Sequence, residues 1–258
     1  MGANVSHNDK VMLLGSCFAD EIGRKMLSDG FDAMINPFGP LYNPASIAAS
    51  VARLDSGQAF TNEDCVEMGA GAGKICSFSH YTKFARRTAE EFLQNANNAL
   101  AEASGFWHSC NKVIITLGTA SVWEHRDFGI VSNCLKRDNK EFRHYRLGVE
   151  QCTSLLEGII GKHPDKEFIF TVSPIRHLSQ GAHENTLSKA TLHLAIEQAI
   201  ARTAVTGPDS RPNASYFPAW EIMMDELRDY SFYAEDKMHP NDTAVETIWK
   251  RFIDGGKE

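Results

Sequence analysis

Two groups of residues far apart in the sequence have the types and spacing needed for acyl transfer. Ser16 follows an apolar run at residues 11–14 and precedes a helical pattern, and a serine on such a strand-to-helix turn can act as a nucleophile. Asp236 lies three residues before His239, a spacing that lets the carboxylate hold the imidazole Nδ1–H so that Nε2 acts as a base. Both patterns also have ordinary structural interpretations, since Ser16 is well placed as a helix N-cap and His239 as a structural residue at a helix entrance.

Cys17, the neighbour of Ser16, is a second candidate nucleophile because a helix N-terminus favours a thiolate. One step along a helix turns the side chain by about 100°. We therefore expect Cys17 to face the core and Ser16 to carry the chemistry.

No motif in the chain indicates a metal ion or a cofactor. His183 and Glu184 begin like a zinc-protease motif, but Leu187 occupies the position of the second histidine ligand. The alternating glycines and alanines of residues 69–73 lack the Lys-Ser/Thr ending and the preceding strand of a phosphate-binding loop. We predict neither a metal site nor a cofactor.

The elements that must position these residues are short apolar runs that alternate with helical patterns. The patterns predict strands at 11–14, 31–35, 112–117, 167–172 and 215–217, and helices at 20–27, 44–54, 88–103, 148–160, 188–204 and 244–253. Such alternation is typical of an α/β fold, a three-layer α/β/α sandwich around a five-stranded parallel sheet that binds ligands beyond the carboxyl ends of its strands. Ser16 and the Asp236–His239 turn are then expected at the same edge of the sheet.

Two long segments, about 55–87 and 121–147, interrupt this alternation, and we expect them to shape a pocket or an edge. Because the chain has 258 residues, we predict a single domain over 1–258 with two insertions rather than two domains. Arg176 and His177 follow the fourth predicted strand and face the same edge, where they can bind a substrate carboxylate or phosphate or only anchor the loop.

Composition excludes several classes of partner. The chain has 26 Lys and Arg against 33 Asp and Glu, a net charge of −7, and it has no basic run; we therefore expect neither nucleic acid nor membrane as a partner. The six cysteines are scattered without a Cys-x-x-Cys pair, which is typical of reduced thiols. No apolar run approaches the roughly 18 residues of a membrane span, so we predict a cytoplasmic protein, and its oligomeric state stays open.

The stretch Gly15-Ser16-Cys17-Phe18-Ala19 resembles the signature of the GSCFA family, a branch similar to the SGNH or GDSL-type hydrolases. The resemblance covers about residues 12–252. It continues through Asn36-Pro37-Phe38-Gly39, Leu117-Gly118-Thr119, Val172-Ser173-Pro174-Ile175-Arg176-His177, Ser188-Lys189-Ala190, Tyr216-Phe217-Pro218-Ala219-Trp220-Glu221, Leu227-Arg228-Asp229-Tyr230, Asp236 and His239-Pro240.

This resemblance implies a flavodoxin-like sheet with strand order 2-1-3-4-5 and ester hydrolysis through an acyl-enzyme. It implies Ser16 as nucleophile, His239 as base and Asp236 as the residue that orients the base. The oxyanion would be held by the N–H of Ser16, by a glycine N–H after the second strand, matched by Gly39, and by an asparagine side chain after the third strand.

The chain departs from that pattern at the asparagine, because Ala120 and then Ser121 follow Thr119. Asn133 in the second insertion, or the hydroxyl of Thr119 or Ser121, could supply the third donor. The resemblance implies an esterase or deacetylase for a small acyl ester, with carbohydrate esters as one substrate class. Acyl transfer to a sugar hydroxyl, and a non-catalytic binding or assembly role on the same fold, are the alternatives.

Overall fold

A five-stranded parallel sheet forms the centre of the computed structural model, which describes residues 3–69, 71–204 and 213–254. The strands, in chain order, are β1 (Lys10–Gly15), β2 (Asp32–Ile35), β3 (Val66–Glu67), β4 (Ile75–Cys76), β5 (Lys112–Leu117), β6 (Ser121–His125), β7 (Gly129–Val131), β8 (Phe142–Arg146), β9 (Glu167–Val172) and β10 (Ala214–Tyr216). The central sheet has the order β2-β1-β5-β9-β10. Counted within that sheet the order is 2-1-3-4-5, which confirms the predicted parallel α/β sheet.

The helices lie between these strands. In chain order they are α1 (Cys17–Ser28), α2 (Pro44–Ser56), α3 (Ala89–Ser109), α4 (Val149–Lys162), α5 (Ala182–Thr203), α6 (Ala219–Glu221), which continues as a π-helical turn, and α7 (Asp242–Asp254). Thr88 caps α3 as predicted, with its hydroxyl accepting from the Glu91 N–H at 3.2 Å. Helix α5 begins at Ala182, earlier than the predicted start at residue 188, and it follows Gly181, whose φ is 89°.

Alternate residues of each central strand point to opposite faces of the sheet, and each face has its own apolar core. Met12 and Leu14 pack with the buried faces of α2, α3, α4 and α5. Val11 and Leu13 pack with α1, α6 and α7 on the other side. Helices therefore cover both faces, and the strands are apolar throughout because neither face meets water.

The two insertions contain structure of their own. Residues 55–87 contain the end of α2 and the small antiparallel pair β3 and β4. Residues 121–147 form a three-stranded antiparallel sheet in the order β7-β6-β8. This second sheet continues directly from the carboxyl end of β5 and so stands beside the edge at which we expect a site.

Segments from opposite ends of the described chain lie side by side. The Ala3 N–H donates to the Phe252 carbonyl oxygen at 3.1 Å. Helix α7 contacts α1 through an ion pair between Lys25 and Glu246 at 2.5 Å. The last helix thereby completes the face of the sheet that α1 begins to cover.

All six cysteines are free and lie in described parts of the chain. Among the described helices, none combines the length and the apolar character that crossing a membrane would require.

Candidate active site

A cavity of about 420 Å³ opens where β1, β5 and β9 end. Residues that follow these strands and the Asp236–His239 turn line it together with the second insertion. The residues relevant to chemistry are Cys17, Tyr42, Thr119, Arg176, His177 and His239. The cavity thus lies at the carboxyl edge of a parallel sheet, where α/β proteins bind their ligands.

Asp236 and His239 form a hydrogen-bonded pair at the mouth of this cavity. His239 Nδ1 lies 2.5 Å from Asp236 Oδ2, and Asp236 Oδ1 accepts from the N–H groups of His239 at 3.0 Å and Met238 at 2.8 Å. These backbone N–H groups, with the His239 ring, lower the pKa of Asp236 to about 2. Because an ionised carboxylate can only accept, Nδ1 must carry the proton of the bond, and Nε2 is the lone-pair nitrogen of the neutral ring.

Arg176 holds the backbone of this turn. Its N–H donates to the Met238 carbonyl oxygen at 3.1 Å, and its guanidinium donates to the Lys237 carbonyl oxygen at 3.3 Å. The guanidinium also lies 6.0 Å and 5.8 Å from the ring centres of Tyr230 and Tyr233. Of the two roles expected for Arg176, these contacts are those of an anchor, although its side chain also lines the cavity.

Ser16 lies at the strand-to-helix turn, as expected, and caps α1. Its Oγ accepts from the Phe18 N–H at 3.3 Å and donates to Ser173 Oγ at 3.0 Å, while its N–H donates to the Thr116 carbonyl oxygen at 3.1 Å. The side chain is fully buried and does not line the cavity. No hydrogen bond joins Ser16 to His239 among the described residues, so the bonds present are those of the N-cap interpretation.

Cys17 faces the cavity and not only the core, so the expectation for its direction is wrong. Its Sγ lies 3.4 Å from Tyr42 Oη, and both residues line the cavity. Burial raises the pKa of Tyr42, and the neighbouring Cys17 raises it further. Cys17 lies at the mouth of the cavity because the preceding residue, Ser16, turns inward and bonds Ser173.

The structure does not bring Gly39 and Asn133 to the cavity that His239 lines. The Gly39 N–H closes a local turn by donating to the Asn36 carbonyl oxygen at 2.7 Å. The Asn133 side-chain oxygen closes another by accepting from the Leu135 N–H at 2.8 Å. A bond thus occupies the Gly39 N–H that we expected to hold an oxyanion, as the Thr116 carbonyl oxygen does for the N–H of Ser16, whereas the bond of Asn133 uses only its side-chain oxygen.

His177 lies much closer to Ser16 than its place in the sequence indicates. A methyl group on the α-carbon of Gly118 would lie 3.0 Å from His177 Nε2 and 3.4 Å from Ser16 Cβ. Within the described part of the chain Nε2 is buried and has no hydrogen-bond partner. Burial, with smaller contributions from Lys189 and His239, lowers the pKa of His177 to about 4, so the ring is neutral at pH 7.

Lys189 lies beneath the same site and was not predicted to take part in it. Its side chain is buried, and its Nζ donates to the Ser173 carbonyl oxygen at 2.7 Å. Burial lowers the pKa of Lys189 to about 7. The only sequence signal was its place in the motif Ser188-Lys189-Ala190, whose serine bonds the Thr119 hydroxyl at 2.9 Å.

Within residues 3–69, 71–204 and 213–254, no group of three or more His, Cys, Asp or Glu side chains is arranged to hold a metal ion. At this edge of the sheet the structure brings together a buried hydroxyl, a neutral imidazole and an imidazole bonded to a carboxylate.

A search of the curated proteins finds no match to this chain. The sequence model of the GSCFA family matches residues 10–252, which include every strand of the central sheet, Ser16 and the Asp236–His239 turn. With a match over nearly its whole length, the protein belongs to the GSCFA family.

Proposed function

We propose that the protein is a serine hydrolase of the SGNH type, an esterase or deacetylase that cleaves a small acyl ester. The observation that carries this proposal is the Asp236–His239 pair, with its 2.5 Å bond, at the mouth of a cavity at the sheet edge where Ser16 begins α1. A carboxylate that fixes the ring through Nδ1 and leaves Nε2 free is the arrangement of a general base for a serine nucleophile.

In the proposed reaction Ser16 Oγ attacks the acyl carbon and its proton passes to His239 Nε2. The ester C–O bond then breaks, and the imidazolium gives this proton to the leaving alcohol. Water repeats the sequence on the acyl-enzyme and releases the acid. Asp236, whose pKa is about 2, stays ionised throughout and stabilises the imidazolium. Attack requires the Ser16 hydroxyl to leave Ser173 and turn toward the cavity, a rotation about one side-chain bond.

The cavity wall is consistent with a polar, ring-shaped alcohol such as a sugar. The rings of Trp123 and His144, both on the second insertion, lie 4.5 Å apart and line the cavity. Aromatic faces pack against the apolar faces of sugars. Acyl transfer to a sugar hydroxyl would use the same acyl-enzyme, and product analysis with and without a sugar acceptor separates it from hydrolysis.

The test is turnover of p-nitrophenyl esters from acetate to octanoate. Ser16→Ala and His239→Ala should abolish turnover, whereas Cys17→Ala, the matched control one residue along the same helix, should keep it. A fluorophosphonate probe should label the wild-type protein at Ser16. Retained activity in Ser16→Ala with loss in Cys17→Ala would move the nucleophile to Cys17.

A second candidate, a non-catalytic binding or assembly protein, is favoured by the burial of Ser16 and by the hydrogen bonds of its Oγ and N–H. It predicts ligand binding that Ser16→Ala leaves unchanged. Absence of both turnover and fluorophosphonate labelling in the wild-type protein would refute the hydrolase and leave this candidate. The cytoplasmic location and the absence of nucleic-acid and membrane partners remain predictions from composition.

A further inference from the structure

We propose, on the basis of the proposed function, that His177 is a further catalytic residue: its Nε2–H donates a hydrogen bond to the oxyanion formed on the ester at Ser16. It would take the place of the asparagine that the chain lacks after Thr119.

The first observation is that several main-chain N–H groups around Ser16 are already used. The Ser16 N–H donates to the Thr116 carbonyl oxygen at 3.1 Å, and the Gly39 N–H donates to Asn36. The N–H groups of Gly118 and Thr119 both donate to the Tyr42 carbonyl oxygen at 2.8 Å. An oxyanion that relied on any of these four N–H groups would have to break its existing bond, which offsets part of what it gained.

The second observation is that a side-chain nitrogen without a partner adjoins the nucleophile. His177 Nε2 and Ser16 Cβ lie within 3.4 Å of the same point beside the bare α-carbon of Gly118. Nε2 is buried and makes no hydrogen bond to any described residue, and a buried polar group without a partner carries a desolvation cost until a partner arrives. An oxyanion is such a partner, since it forms on the carbon that Ser16 Oγ attacks.

The third observation concerns protonation. Burial holds the pKa of His177 at about 4, so near pH 7 the ring is a poor base and does not titrate. A neutral imidazole can still donate from the nitrogen that carries its proton, and such rings polarise carbonyl groups in enzymes. His177 therefore differs in role from His239, whose Nδ1 is bound by Asp236 and whose Nε2 is free to accept a proton.

The test compares His177→Leu, which removes the donor, with His177→Gln, which keeps an amide N–H. The matched control is His80→Leu, which removes another buried histidine whose Nε2 has no partner among the described residues but which does not line the cavity. With p-nitrophenyl acetate, His177→Leu should lower kcat by roughly 10²-fold to 10³-fold with little change in KM. His177→Gln should recover part of this loss, and His80→Leu should stay near wild type.

Two further readouts distinguish an oxyanion donor from a structural residue. A short alkylboronic acid, which forms a tetrahedral adduct on a serine hydroxyl, should bind His177→Leu more weakly by a factor similar to the loss in kcat, while binding of the product acid should not change. The pH profile of kcat/KM should keep its shape in His177→Gln. Circular dichroism and melting of each variant confirm that the fold is intact.

Near wild-type kcat in His177→Leu would overturn the role of His177, as would a change confined to KM or an equal loss of kcat in His80→Leu. If the wild-type protein turns over ester and labels at Ser16 while His177→Leu is fully active, only this inference fails. If the wild-type protein neither turns over ester nor labels, the proposed function fails and the inference fails with it.

Discussion

Replacing Lys189 by methionine should remove most of the rise in stability of this protein above neutral pH. Lys189 is 2% exposed, and its Nζ donates to the Ser173 carbonyl oxygen at 2.7 Å. Because the charged ammonium loses its hydration in this position, its pKa falls from 10.5 to about 7. Methionine has a similar length and volume and carries no charge, so it fills the same space without this cost.

The sign follows from the proton count of the two states. In the unfolded chain Lys189 stays protonated up to its ordinary pKa of 10.5, whereas in the folded protein it loses its proton near pH 7. Between these values the unfolded state binds one more proton, so the free energy of unfolding rises with pH by about 1.4 kcal/mol per unit. Below pH 7 Lys189 is protonated in both states, so the full cost of burying its charge, about 5 kcal/mol, does not change with pH.

Urea unfolding of wild type and Lys189→Met at intervals from pH 7 to pH 9.5 measures the effect. The wild type should gain about 3 kcal/mol relative to the variant over that interval. Burial raises the pKa of thiols such as Cys110 to about 11 and Cys152 to about 12. These thiols lower the stability of both proteins at high pH by the same amount, so their effect cancels when the two free energies of unfolding are subtracted. A difference that stays flat from pH 7 to pH 9.5 would refute a displaced pKa at Lys189.

Two predictions concern the site itself. Gly118→Ala places a methyl group 3.0 Å from His177 Nε2 and 3.4 Å from Ser16 Cβ, so we expect kcat for p-nitrophenyl acetate to fall at least about tenfold with little change in melting temperature; unchanged kcat would show that this space is not used. Asp236→Asn should lower kcat by roughly 10³-fold to 10⁴-fold because the amide favours the wrong tautomer of His239. Because the pKa of Asp236 is about 2, the pH profile of wild-type activity should show no titration of Asp236 down to pH 4. An inflection above pH 4 that is present in wild type and absent in Asp236→Asn would contradict this.

The central sheet could be predicted because its strands are continuous apolar runs with clear ends. The runs 112–117 and 167–172 end at Gly118 and before Pro174, and the strands have those bounds. The antiparallel sheet of residues 121–147 could not be predicted in the same way. Its strands mix aromatic, charged and histidine residues, because they stand at the surface and at a cavity wall, so neither face is uniformly apolar.

The candidate site could be predicted only in part, because some of its contacts depend on how loops and helices pack and not on residue types. Asp236 and His239 are neighbours in one turn, so their spacing alone indicates the bond between them. The closeness of His177 to Ser16 depends on how two loops pack across a glycine, and sequence spacing carries no information on this. The direction of Cys17 depends on the angle at which α1 leaves β1, which a pattern of residue types does not fix.

The contact between Ala3 and Phe252 brings the first and last described segments of the fold within linking distance. A short linker could join Phe252 to Ala3, and a new break could be opened at the exposed tip near Gly71, between β3 and β4. Such a circular permutant would place Ser16 and His239 roughly 30 residues apart in the chain, whereas they now lie near opposite ends of the sequence. This shortens the loop that must close to bring them together. The two halves of the candidate site would then belong to one local folding unit, and a genetic library could vary them together on a single short cassette.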